Sequence, residues 1–193
     1  MTLKADKPLI VGIGGTLREG SSTERTLMAA LAAAEAAGAR TRLLGGAFLS
    51  GLPIYNPKPG SATEAQLALA EAVRDADGVI VATPGYHGSL SGLMKNALDT
   101  LELLREDVRP YFTDRAVGVI VTADGWQAAG TTLIAVRSII HAMRGWPTPF
   151  GAAMSITANT FNPDGSLKDP KDVWQVETVA KQVVDFASRR VSA

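Results

Sequence analysis

The sequence contains no cysteine. That excludes disulfides, thiolate metal sites and cysteine nucleophiles, and it fits a reducing compartment. An excess of either charge is missing too, since Lys plus Arg and Asp plus Glu each total 19. No overall field draws the chain to nucleic acid or to an anionic membrane, so neither is expected as a partner. No window approaches the roughly 20 apolar residues of a membrane span. Residues 1–7 carry charge and no long apolar stretch, which reads as no secretory signal and points to a cytoplasmic protein. Histidine occurs only twice, and no His/Asp/Glu cluster suggests a metal centre or an acid–base triad.

What is present is an ordinary globular mixture, 46% hydrophobic and 20% charged over 193 residues, read as one domain spanning 1–193. Short apolar runs alternate with helical patterns. Strands are expected at 8–14, 40–44, 78–83, 116–122 and 148–154. Helices are expected at 26–37, 62–75, 90–104, 130–144 and 171–189, with a proline-broken loop at 51–57. His141, inside an apolar helical stretch, reads as a packed or interface residue. This alternation predicts an α/β three-layer sandwich around a five-stranded parallel sheet. The flavodoxin-like order 2-1-3-4-5 accommodates it, with a ligand crevice at the carboxyl ends of strands 1, 3 and 4.

Three loops follow those ends. The first contains Gly15, Thr16, Leu17, Arg18, Glu19, Gly20, Ser21, Ser22 and Thr23. Small residues, several hydroxyls, a fixed cation and an ensuing helix N-terminus make an anion site. The glycine pattern of dinucleotide sites and the Gly-Lys-Ser/Thr of triphosphate loops are both absent, which favours a phosphate monoester. Ser21 with Glu24 also reads as a helix capping box, and the two readings are compatible if Glu24 faces away from the anion. The second loop, Pro84, Gly85, Tyr86, His87, Gly88 and Ser89, exposes backbone polar groups beside two rings and suits a flat heteroaromatic ligand. It equally reads as a plain turn, with Tyr86 in the core. In the third, Asp124 and Gly125 precede Trp126, which could cover a ligand or serve a core or interface.

The first two loops, together with Gly92 to Asp99, resemble the NADPH-dependent FMN reductase family. The resemblance covers most of the chain and implies that Thr16, Arg18, Ser21, Ser22 and Thr23 bind the FMN phosphate. Pro84, Gly85, Tyr86, His87, Gly88 and Ser89 would then lie along the isoalloxazine ring, with Asp124 and Gly125 at its border. Many members carry Glu and Asn where Gly85 and His87 stand. The implied activity is hydride transfer from NADPH or NADH to FMN, which needs alignment of two cofactors and no catalytic side chain. Reduced flavin would serve a partner monooxygenase, or stay bound and reduce a quinone, azo dye or metal oxyanion. Family members are commonly homodimers or homotetramers, here through 90–104 and 133–143. A non-enzymatic electron carrier would dock through an acidic face, and this chain is neutral.

Overall fold

Three runs too apolar to face water set the centre of the molecule. β1 (Leu9–Gly14), β3 (Gly78–Tyr86) and β5 (Ala116–Ala123) lie side by side and parallel in a computed structural model that describes residues 7–191. The reading of the amino terminus falls mainly on residues 1–6, outside the described residues. Alternate residues of each strand enter opposite layers, as a two-residue repeat requires. Val11, Ile13, Val79, Val81, Val119 and Val121 join one core cluster. It is completed by α2 (Gly46–Ser50), α3 (Glu64–Asp75), α4 (Gly92–Thr100) and α5 (Trp126–Ala142). Ile10, Ile80 and Ile120 join the other, against α1 (Ser22–Ala36) and α6 (Pro170–Val191).

β2 (Arg40–Leu44) pairs with the free side of β1, and its exposed Arg40 and Arg42 suit an edge. At the other edge the expected strand over 148–154 is two pieces, β6 (Trp146–Pro147) and β7 (Ala152–Ser155), both parallel to β5. Pro147 and Pro149 lack the N–H that an unbroken ladder needs, so the strand is interrupted between them and Ala152. With the two pieces sharing one position, the sheet runs β2-β1-β3-β5-β6/β7, which is the expected 2-1-3-4-5 when its five positions are counted along the chain.

Other departures are local. β3 continues past residue 83 and folds back as β4 (Ser89–Leu90), so the second loop is an antiparallel hairpin. α5 starts at Trp126 rather than at 130, because Gly125 is its extended N-cap and Ala128 and Ala129 favour helix. The expected helix over 90–104 divides into α4 and a 3₁₀ turn, Leu101–Leu104. Thr63 caps α3 through a reciprocal pair with Gln66, which fixes its start. His141 is not packed in the core; it is exposed on α5. Among the described residues no helix is long and apolar enough to cross a membrane, and no group of three or more His, Asp or Glu is placed to hold a metal.

Candidate cofactor site

Parallel strands bring their carboxyl ends to one edge, and there the loops after β1, β3, β5 and β7 enclose a crevice of about 380 Å³. Thr16, Arg18, Ser21, Ser22 and Thr23 line it from the first loop. That loop is held by close backbone approach. Gly15 has φ +130°, and a Cβ there would lie 2.5 Å from the Gly46 nitrogen, a position open only to glycine. The Ser21 hydroxyl accepts from the Glu24 amide at 3.3 Å, so it caps α1 while its own proton stays available to a ligand. The Glu24 carboxylate lies against Gly45, on the back of the loop, and does not line the crevice. Cap and anion readings of Ser21 are therefore compatible.

Arg18 is exposed, and among the described residues no carboxylate pairs with its guanidinium. The first-turn amides of α1 have no preceding helical carbonyl to bond. Cation, hydroxyls and helix N-terminus thus converge at one end of the crevice. Thr23, 2% exposed, is joined to Thr122 by a 2.7 Å hydroxyl–hydroxyl hydrogen bond that ties α1 to the end of β5.

Pro84, Gly85 and Tyr86 form the opposite wall. The hairpin turns on His87 and Gly88, with φ of 52° and 80°, between the paired residues Tyr86 and Ser89. Two positive-φ central residues define a type I′ turn. His87, Gly88 and Ser89 therefore sit at the tip, beyond the residues that line the crevice. Gly85 is a packing requirement: a Cβ there would meet Thr132 Oγ1 at 3.0 Å and the Ala128 carbonyl at 3.1 Å, both on α5. A side chain there would require these α5 groups to give by a few tenths of an ångström. Tyr86 is 55% exposed, so it is not a core aromatic.

The third side comprises Thr122, Ala123 and Asp124 from β5 and its loop, with Ile156 just past β7. The Ile156 amide donates to the Ala123 carbonyl at 2.7 Å and the Ser155 hydroxyl to the Asp124 carbonyl at 3.2 Å, so the two strand ends are locked together. Gly125 does not line the crevice. Trp126 is exposed, with Lys171 Nζ 5.6 Å from its ring centroid, so a core role is ruled out. Sequence reasoning missed Thr122 and Ile156. The available signal was position alone, since each lies within a residue of a strand's end at the ligand-bearing edge.

The sequence pattern of the NADPH-dependent FMN reductases matches residues 8–160. The chain belongs to that family. FMN-dependent NADPH-azoreductase of Staphylococcus aureus is 33% identical over 122 residues, 62% of this chain and 61% of the relative. The match thus spans about three fifths of that relative's length. Solved structures show the same fold at lower identity. FerB, a flavoenzyme NAD(P)H:(acceptor) oxidoreductase from Paracoccus denitrificans, aligns with a TM-score of 0.77 at 24% identity, covering 94% of this chain and 98% of its own. The NADH:FMN oxidoreductase EMOB aligns with a TM-score of 0.67 at 22% identity, covering 95% and 90%.

Proposed function

We propose that the chain is an NAD(P)H-dependent FMN reductase whose phosphate end is held by Thr16, Arg18, Ser21, Ser22 and Thr23. The observation that carries this reading is the donor set at one end of the crevice. An arginine without a carboxylate partner, four hydroxyl side chains and a helix N-terminus share one small cavity. That chemistry fits a dianionic phosphate monoester and fits no neutral ligand comparably. The hairpin wall at Pro84, Gly85 and Tyr86 would carry the flat ring. Bound FMN supplies two-electron acceptance from a nicotinamide, and the protein aligns the rings and limits water.

The residues have correspondingly simple tasks. Arg18 and the Ser21 hydroxyl neutralise and orient the phosphate. Backbone groups along Pro84 to Tyr86 read the ring edge without a side-chain carboxylate. A second reading, that the flavin stays bound and passes its electrons to an azo compound, is favoured by the azoreductase relative. Supply of reduced flavin to a partner monooxygenase, and assembly as a homodimer or homotetramer through α4 and α5, complete the proposal. Anaerobic absorbance spectra of the purified protein with FMN, then NADPH or NADH, test it. Retention and bleaching of the flavin band is the expected result; an unbound or unreduced flavin refutes it.

A further inference from the structure

We propose that the outer face of α1 and α6 is covered by the same face of a second copy of the chain. The contact would be a two-fold interface on the layer opposite α4 and α5. It goes beyond the assembly proposed above and stands whether or not α4 and α5 also associate. The inference starts from a contradiction in α1. Leu27 to Ala34 is apolar at every position, and a helix apolar all round belongs in a buried place. Only one side of it is covered. Leu27, Ala30, Leu31 and Ala34 enter the core, whereas Met28 is 54% exposed and Ala32 also faces solvent. No charge lies between Arg25 and Glu35, and Glu35 accepts from the Thr41 hydroxyl, toward β2.

The face carries its own complement. Ala29, Ala32, Ala33 and Ala36 line a groove of about 750 Å³ that α6 borders with Val176 and Glu177. Ala33 and Ala36 continue into a second hollow, which Trp174 and Lys181 also line. Trp174 is 55% exposed, and Phe150 meets it edge-on with ring centroids 5.0 Å apart, which fixes the indole in place. A half-exposed indole is a typical interface anchor. Knob and hollow on one patch are what a two-fold contact requires, because each residue that meets another across it is met in return.

Charge selects the same occupant. Arg25, Asp164, Glu177, Lys181 and Asp185 give the two hollows mixed sign, which suits neither nucleic acid nor an anionic membrane. Glu177 and Lys181 stand one turn apart on the exposed side of α6. Among the described residues Glu177 makes no ion pair. Lys181 reaches Asp185 at 2.8 Å, and an ammonium with three donors can serve a second carboxylate. An antiparallel crossing of α6 on its copy, with the axis near Thr178, sets each Glu177 beside the partner's Lys181. The same crossing brings the partner's Trp174 to the level of Asp185, where Ala36 and Ala37 line the hollow. Such paired charges fix the register of the contact.

The test is the mass of the full chain in solution, by sedimentation at micromolar concentration. Ala32→Arg fills the groove from a solvent-facing position, and the mass should fall to half that of the parent. Glu177→Lys sets lysine against lysine across the axis and should have the same effect. Combining Glu177→Lys with Lys181→Glu should restore the parent's mass. Ala32 and Glu177 are both exposed, so the far-ultraviolet circular dichroism of each variant should match the parent's. If Ala32→Arg fails that check, the charge reversals still decide the question. A monomeric parent overturns the proposal. An oligomer whose mass neither Ala32→Arg nor Glu177→Lys changes overturns it too, and leaves association through α4 and α5 standing. A double variant that stays at half mass overturns the two-fold crossing and the proposal with it.

Discussion

At the amino-terminal edge of the sheet Arg115 has no exposed surface, whereas at the carboxyl-terminal edge Arg18 stands in solvent. Arg115 gives Nε to the Ala76 carbonyl at 2.9 Å, Nη2 to that of Arg74 at 2.8 Å, and Nη1 to those of Tyr111 and Thr113 at 3.1 and 3.2 Å. Two of these carbonyls belong to the end of α3, which has no amides of its own left to offer them. Burial, reinforced by the charge of Arg109, pulls the Arg115 guanidinium down to about 10, and Asp77, Asp107 and Asp75 oppose the shift. It still carries its charge at neutral pH. Arg18 makes no ion pair within the described chain. The contrast separates two uses of one residue type. An arginine buried among backbone carbonyls that take its donors holds a fold, and one whose donors are spare can hold a ligand.

Arg115→Ala should be the most damaging change. Four carbonyls lose a buried donor, and stability is expected to fall by about 3–5 kcal/mol, read from urea unfolding. The folded fraction should bind FMN as tightly as before. Weakened FMN binding without a loss of stability would erase the distinction between the edges. Arg18→Ala should behave oppositely. The melting temperature of the cofactor-free protein should be unchanged, while FMN affinity falls by about 1.5–3 kcal/mol, roughly 10- to 150-fold. Equal affinity in that variant, measured by quenching of flavin fluorescence, would refute the phosphate assignment.

Thr122→Val tests the seam between the two roles. It removes the partner of the buried Thr23 hydroxyl at nearly constant volume. Stability of the cofactor-free protein should fall by about 1–2 kcal/mol. Saturating FMN should recover part of that loss if the phosphate offers Thr23 a new acceptor. A loss unaffected by FMN would make the Thr23–Thr122 pair purely structural.

How much of this was legible follows from the range of the signals. The first loop declared itself because its glycines, hydroxyls and arginine are contiguous, and the alternation of strands and helices fits the strand order observed. Thr122 and Ile156 were illegible because their roles depend on where two strands end relative to each other. The start of α5 was misread because Asp124-Gly125-Trp126 looks like continued loop until Gly125 is seen as an N-cap. Arg115 gave no sign at all. An arginine before an apolar run is ordinarily at the surface, and only the meeting of α3's end with residues 111–113 buries it. The plain-turn reading of the second loop rested on Pro84-Gly85, which instead lie within β3, and Gly85 became intelligible only when α5 was found packed against it.

The smallest effect belongs to Asp172, in the first turn of α6 beside Lys171, which reaches Trp126 near the crevice. Burial raises its carboxyl, the neighbouring charge of Asp169 adds to the shift, and Lys171 and a hydrogen bond from Gln175 oppose it. An acid raised in the folded state keeps its proton longer there than in the unfolded chain. Its contribution is therefore fully favourable only below the ordinary carboxylate range and is lost as pH rises through the shifted value. At neutral pH the ionised side chain weighs slightly against the fold. Asp172→Asn keeps the oxygen that Gln175 bonds and removes the charge. The variant should melt slightly higher than the parent at pH 7, and the two should converge below the carboxylate range. A variant that melts lower at pH 7 would mean that the charge favours the helix N-terminus more than burial disfavours it. The carboxyl-terminal edge would then be as well satisfied here as the amino-terminal edge is around Arg115.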